Sequence, residues 1–179
     1  NEGLSMYAEM LTGYGIPWGD INSYLYTPDN SLTEWGDQGG INILADYGAA
    51  ALWAIYLKDH FGPTFLRDFL QAGIPGIAGL DAALTPFGES FTSVYHDWRI
   101  ANLIHTDKVK KVDTPEYNYV SIDLGSADAI PARTYDLNKK NVLFSWTMGS
   151  SFGNTITILG YDTGVSLLSS YGSDYVRVF

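Results

Sequence analysis

At 179 residues the chain has room for one large domain or two small ones. Hydrophobic residues make up 46% and aromatic residues 15%, which excludes intrinsic disorder, and a net charge of -10 repels phosphate backbones and anionic lipid, which argues against nucleic acid as a partner. With no cysteine, disulfides, thiolate metal sites and thiol nucleophiles are excluded together, so any metal must be held by His, Asp or Glu.

The chain opens at Asn1 without an initiator Met and reads as a piece of a longer protein. A first helix is predicted from Asn1 to Leu11, stopped at Gly13. Glu2 and Glu9 sit two turns apart near one face of it, in a segment otherwise rich in apolar residues. A carboxylate drawn into such a face must be paired, hydrogen-bonded or metal-bound to stay charged, while a first-turn acid can also serve only the helix dipole. Tyr14 to Asp37, rich in Gly, Pro and Tyr with Trp35, is expected to be a long loop of the kind that borders substrate clefts. Within it, Asp20-Ile21-Asn22 and Asp29-Asn30-Ser31 supply oxygen ligands without the Gly and terminal Glu of an EF-hand. Their expected role is to form turns and caps, with calcium a candidate only as a stabiliser.

Ala49, Leu52, Ile55 and Tyr56 recur at three- and four-residue intervals, Gly62-Pro63 follows as a stop and restart, and Phe65, Leu66, Phe69 and Leu70 form the next apolar face. A helical hairpin is the expectation. Further helices are predicted over Ile77 to Leu84 and Glu89 to Ile104, the latter with Phe91, Val94, Tyr95, Trp98 and Ala101 on one stripe. His60, His96 and His105 are 36 and 9 residues apart, so no helix carries the two-histidine pair that grips zinc. His60 is expected to serve the carbonyls at its helix end, and His96 to lie at the surface.

Before His105 the chain holds 3 basic and 12 acidic residues; after it the counts are 7 and 8. The Lys-rich stretch that follows lacks periodicity and reads as a linker, which divides the chain into a helical unit over 1-105, a linker over 106-116 and a module over 117-179. Six short β-branched or aromatic runs follow: Tyr117 to Leu124, Ala132 to Leu137, Asn141 to Met148, Thr155 to Gly160, Val165 to Ser169 and Asp174 to Phe179. They predict a small antiparallel β-sandwich, so the fold class expected is α+β, a helical subdomain followed by that sandwich. The longest uncharged run, 141-161, reads as strands rather than a membrane span. Gly149-Ser150-Ser151-Phe152-Gly153 matches the Gly-x-Ser-x-Gly nucleophile pattern, but that elbow needs a following helix and a later histidine. Here a strand is expected next and the last histidine is His105, so a hairpin turn is the reading.

Asn1-Glu2-Gly3-Leu4-Ser5-Met6-Tyr7-Ala8-Glu9 resembles the Asn-Glu-Gly-aromatic/Leu-Ala/Ser-x-Tyr-x-Glu segment of gluzincin zinc metallopeptidases, of the aminopeptidase N and hyicolysin types. The resemblance implies that Glu2 is the third zinc ligand and that Glu9 and Ser5 support it. It also implies a partner region of the same protein, preceding this sequence, with the His-Glu-x-x-His helix that supplies two ligands and the general base. Asp46-Tyr47-Gly48-Ala49-Ala50-Ala51-Leu52-Trp53 is similar to the family helix whose Tyr bonds the tetrahedral oxyanion, which implies that role for Tyr47. Ala49-Ala50 stands where the aminopeptidases have Lys-Gly, which favours the hyicolysin type, and Phe91 to Asn102 is similar to that type's closing helix. No His-Glu-x-x-His occurs in this sequence, so the piece alone is expected to be inert. The function implied is peptide-bond hydrolysis by an extracellular, zinc-dependent enzyme acting on peptide or protein substrates. The alternative is a non-catalytic carbohydrate- or protein-binding module with a degenerate peptidase-like fold.

Overall fold

A computed structural model describes residues 2-28, 30-36, 39-106, 114-126, 133-134, 142-149, 155-161 and 176-177. Six helices occupy its N-terminal part: α1 (Glu2–Leu11), α2 (Trp18–Tyr26), α3 (Ile43–Phe61), α4 (Phe65–Ala72), α5 (Gly76–Leu84) and α6 (Phe91–Thr106). The centre is α3, which is apolar on all sides because it is surrounded: Ala45, Ala49, Leu52, Ile55 and Leu57 are all buried. The stretch Gly40–Phe61 is long and apolar enough to cross a bilayer, but 61% of its most apolar window is buried inside the helical body. Core packing accounts for its character.

Two glycines set how closely the first helices lie against α3. A Cβ on Gly48 would stand 2.0 Å from the Asp20 carbonyl oxygen of α2, and one on Gly3 would stand 2.2 Å from the Ala50 carbonyl oxygen of α3. Only a residue without a side chain allows either approach. Gly62, at φ +93, ends α3, and Pro63 precedes α4, whose Phe65 and Leu66 are buried while Leu70 is 53% exposed.

The start of α6 is fixed by its own serines. The Ser90 hydroxyl accepts the Ser93 N–H at 3.1 Å, the Ser93 hydroxyl accepts the Ser90 N–H at 2.9 Å, and Asp81 accepts the Phe91 N–H at 2.7 Å. Every residue of the predicted stripe is buried. Its Trp98 stacks on Tyr24 of α2 at 5.8 Å and meets Trp53 of α3 edge-on at 5.4 Å, so one indole ties three helices together.

The helical body continues beyond α6. Short 3-10 turns at Pro115–Tyr117 and Leu124–Ser126 flank an extended segment whose Tyr119, Ile122 and Leu124 are buried. The end of α3 holds that segment: Tyr56 donates to the Glu116 carbonyl at 2.5 Å and the His60 ring bonds the Asn118 carbonyl at 3.0 Å. Asp59 accepts from the Val120 N–H, the Ser121 N–H and the Ser121 hydroxyl at 2.8, 2.9 and 3.0 Å. Deeper in, Tyr119 donates to Asn102, which is wholly buried on α6 and in turn donates to the Tyr24 hydroxyl at 3.5 Å.

The α+β expectation does not hold for the described residues, which are mostly helical and form no β-sandwich. Among the described residues four strands are found, β1 (Arg133–Thr134), β2 (Val142–Gly149), β3 (Thr155–Tyr161) and β4 (Val176–Arg177), and they form two separate two-stranded pairs. β2 and β3 pair antiparallel, with an irregularity between Val142 and Phe144, whereas the two residues of β1 pair parallel with β4. A sandwich requires two sheets stacked face to face, and none occurs among the described residues. The strand predicted over 117-124 is instead a segment bounded by the two 3-10 turns, and its Tyr119, Ile122 and Leu124 are drawn into the helical core without strand pairing. The strand predicted over 165-169 lies outside the described residues. Within the predicted loop 14-37, Trp18–Tyr26 is a helix, with Ile21, Tyr24 and Leu25 buried.

Candidate functional site

The first turn of α1 borders an apolar cavity of about 420 Å3. Glu2, Gly3 and Leu4 form its rim with Thr33 and Trp35, and its walls come from α3 (Trp53, Leu57), α4 (Leu66, Phe69), α5 (Leu80) and α6 (Phe91). Among the described residues, Glu2 is the one ionisable residue lining it. Its side chain is exposed to solvent while bordering the recess, which is the placement a carboxylate needs to reach a cation without being stranded in the core.

Tyr47 lies three residues before Ala50, the residue that Gly3 rests against, so it is one turn, about 4.5 Å of helix rise, from the point where α1 crosses α3. The ring is half-buried and packs edge-on against Trp35, with centroids 4.9 Å apart and planes at 89°. Trp35 is therefore shared between the cavity rim and the Tyr47 ring.

The loop carrying Trp35 is fastened to α3 by Asp46. This aspartate is only 3% exposed and accepts from the Gly36 N–H and from the Asn30 side chain, both at 3.3 Å. Ser31, also buried, accepts the Thr33 and Glu34 N–H groups at 3.2 and 3.0 Å, which shapes the turn leading into Trp35. In the sequence, Trp35 stands out only as part of the loop and Asp46 only as the first residue of the segment around Tyr47, and neither carries an expected role of its own. The available signal was Asp46 itself, an acid in the first turn of α3, directly before Tyr47 and the apolar run that follows it.

The other candidates are distributed elsewhere. Glu9 is exposed and separated from Glu2 by seven residues, about 10 Å along α1, too far for a direct hydrogen bond. Its carboxylate instead acts on Asp20 of α2, whose own carboxyl is raised by burial first and by Glu9 second. Ser5 is exposed one turn after Glu2. His60 is engaged with Asn118 rather than with its own helix end, and burial lowers its pKa against the opposing pull of that bond and of Asp59, Asp97 and Glu116. His96 is exposed on α6. Asn30 is committed to Asp46, and Asp29 lies outside the described residues. The Gly-x-Ser-x-Gly stretch falls between β2 and β3, and residues 150-154 are outside the described set.

Among the described residues, no group of three or more His, Asp or Glu side chains is placed to hold a metal ion. Glu2 alone does not make a zinc or calcium site, since stable sites draw on three or more protein ligands. No family model matches the chain, and neither the curated proteins nor the solved structures yield a match to it.

Proposed function

We propose that this chain is part of a secreted zinc metallopeptidase of the gluzincin type, in which Glu2 is one metal ligand and Tyr47, packed against the cavity residue Trp35, is a hydrogen-bond donor. One observation carries the reading: Glu2 borders an apolar cavity of about 420 Å3 at the place where Gly3 brings α1 against α3, one turn from Tyr47. Recesses of that volume, mostly apolar with few convergent polar groups, are the usual form of small-ligand and catalytic sites. A carboxylate at such a rim and a phenol nearby are groups that can serve peptide hydrolysis at a metal, the first as a ligand and the second as an oxyanion donor.

The described residues do not complete the site. The reading therefore requires two histidines from a His-Glu-x-x-His segment outside this sequence, and it makes the isolated chain inert. When bound, zinc would supply Lewis acidity toward the peptide carbonyl. This chain's contribution is the Glu2 carboxylate, held at the cavity rim, and the Tyr47 hydroxyl. Loss of a single donor of that kind costs about 3 kcal/mol of transition-state stabilisation.

The test is zinc content and casein hydrolysis in the full-length protein and its Glu2→Gln form. The reading expects both to fall sharply in the variant while the far-ultraviolet circular dichroism is kept. Equal zinc content in the two proteins, or a full-length sequence lacking His-Glu-x-x-His before Asn1, would leave the peptidase reading without foundation.

A further inference from the structure

We propose that Trp35 is a positioning residue for Tyr47, and that Asp46 holds Trp35 in place to do so. The proposal rests on the metallopeptidase reading, which gives Tyr47 its role, and adds residues that the resemblance does not assign. Trp35 meets the Tyr47 ring at 89° with centroids 4.9 Å apart, an edge-to-face geometry that limits where that ring can turn. The indole is itself half-exposed, so it is not placed there by core packing. Its position comes from its loop.

That loop is unusually well tied for a surface segment. Asp46, one residue before Tyr47, accepts the Gly36 N–H on one side of Trp35 and the Asn30 side chain on the other, and Ser31 closes the turn onto the backbone of Thr33 and Glu34. The buried acid and the phenol thus belong to the same turn of α3, and the loop bridges between them. Trp35 also lines the cavity that Glu2 borders, so the same residue meets both that cavity and the Tyr47 ring. A donor whose bond forms only in the transition state is useful only if its angle is set beforehand, and displacements of about 1 Å cost on the order of 100-fold in rate.

The test has two arms in the full-length protein. In the first, tyrosines carry a 3-fluoro label and the Tyr47 resonance is assigned by its loss in Tyr47→Phe. Trp35→Ala is expected to shift and broaden that resonance, and Trp35→Phe to restore most of its position. In the second, hydrolysis of a quenched fluorescent peptide is measured for Trp35→Ala, Trp35→Phe, Tyr47→Phe and the Trp35→Ala/Tyr47→Phe double variant. We expect Trp35→Ala to lower kcat about tenfold with KM within about twofold, Trp35→Phe to recover most of the rate, and the double variant to be no slower than Tyr47→Phe.

An unmoved fluorine signal in Trp35→Ala, or a double variant whose loss is the product of the two single losses, overturns the proposal. Asp46→Asn keeps the size of the side chain and weakens its acceptor, so it should move the same resonance in the same direction as Trp35→Ala; no movement overturns the part assigned to Asp46. If Glu2→Gln leaves hydrolysis intact, the peptidase reading fails and this proposal fails with it. If Glu2→Gln abolishes hydrolysis while Trp35 and Tyr47 act independently, only this proposal is lost.

Discussion

Gly3 and Gly19 occupy the same place in their helices, the second residue of α1 and of α2, yet the fold predicts opposite outcomes for replacing them with alanine. Helix preference alone favours Ala over Gly by about 1 kcal/mol at an interior position, and somewhat less in a first turn. At Gly19 a new Cβ meets nothing within 4 Å, so Gly19→Ala should keep that gain. At Gly3 the Cβ would lie 2.2 Å from the Ala50 carbonyl oxygen, whereas ordinary contact begins at 3.4 Å. The obstacle is backbone and cannot rotate aside, so α1 must move away by about 1 Å, with an overpacking cost in the upper part of the usual range of about 1 to 3 kcal/mol. Gly3→Ala should therefore be destabilised by about 1 to 2 kcal/mol net, and the two variants should differ by about 2 to 3 kcal/mol. Guanidinium unfolding followed by tryptophan fluorescence reads both, and melting temperatures should separate by several degrees. Equal shifts of the same sign would refute the close seating of α1 on α3.

Three further outcomes follow from the packing. Trp98→Ala should cost about 3 to 5 kcal/mol, because the ring it deletes joins α2, α3 and α6; a loss below about 1 kcal/mol in the same unfolding assay would mean the stack on Tyr24 is not formed. Asn102→Ala removes the acceptor of Tyr119 in a fully buried place and should cost about 1 to 3 kcal/mol, with Tyr119→Phe/Asn102→Ala less harmful than the sum of the single changes. The clasp at Val120 and Ser121 should loosen in acid. Burial pushes the Asp59 carboxyl up, but bonds from the Ser121 N–H, Lys58, the Ser121 hydroxyl and the Val120 N–H outweigh it and hold the group below its usual 3.8. A depressed carboxyl contributes stability above its ordinary pKa and loses it as pH falls through the folded value, so this contribution fades from about 3.8 downward. His60, lowered by burial from 6.5, opposes folding once the unfolded chain begins to take up its proton, so it weakens the same clasp below about 6.5. Asp97 and Asp20 are raised and act with the opposite sign, which is why the readout is local. Hydrogen-exchange protection at the Val120 and Ser121 amides, taken relative to Ile55, should drop in two stages, and a profile flat between pH 7 and 3 would contradict it.

The helices that were legible in the sequence are those whose pattern runs for several turns. Phe91, Val94, Tyr95, Trp98 and Ala101 state one face over three turns, and the same face is buried. In α3 the Ala49, Leu52, Ile55 and Tyr56 spacing was visible, but the helix is apolar all round, which marks a central position more than a face. The helix α2 escaped because Ile21, Tyr24 and Leu25 give a single repeat among Gly, Pro and Asn, too short for period to outweigh turn chemistry. In the C-terminal half, the β-branched and aromatic runs overlap the two strands β2 and β3, because such composition is a local signal. It says nothing of how many strands will join a sheet, and the sandwich was an inference about partners drawn from elements alone. The candidate site was legible only as far as Glu2 and Tyr47. Trp35 and Asp46 act through contacts between a loop and a helix ten or more residues apart, and no period encodes those.

The glycine after Glu2 connects these levels. α1 has no fully buried residue; Leu4, Tyr7 and Met10 pack half-buried against the core, so the helix is held by contact on one side only. Elements with so little buried surface open at low free-energy cost, and a carboxylate on such a helix would ordinarily be poorly fixed. Gly3 compensates by letting the backbone of the first turn touch the backbone of α3, which sets the height of Glu2 over the cavity by main-chain contact, without relying on side chains that can change rotamer. The Glu-Gly order at positions 2 and 3 thus has a mechanical reason that is independent of any family resemblance: the residue following the acid must lack a Cβ for α1 to seat on Ala50 beside the cavity. Any larger residue at position 3 would push the first turn of α1 off α3 and displace Glu2 relative to the recess that Trp35 lines, even if the rest of the fold were kept.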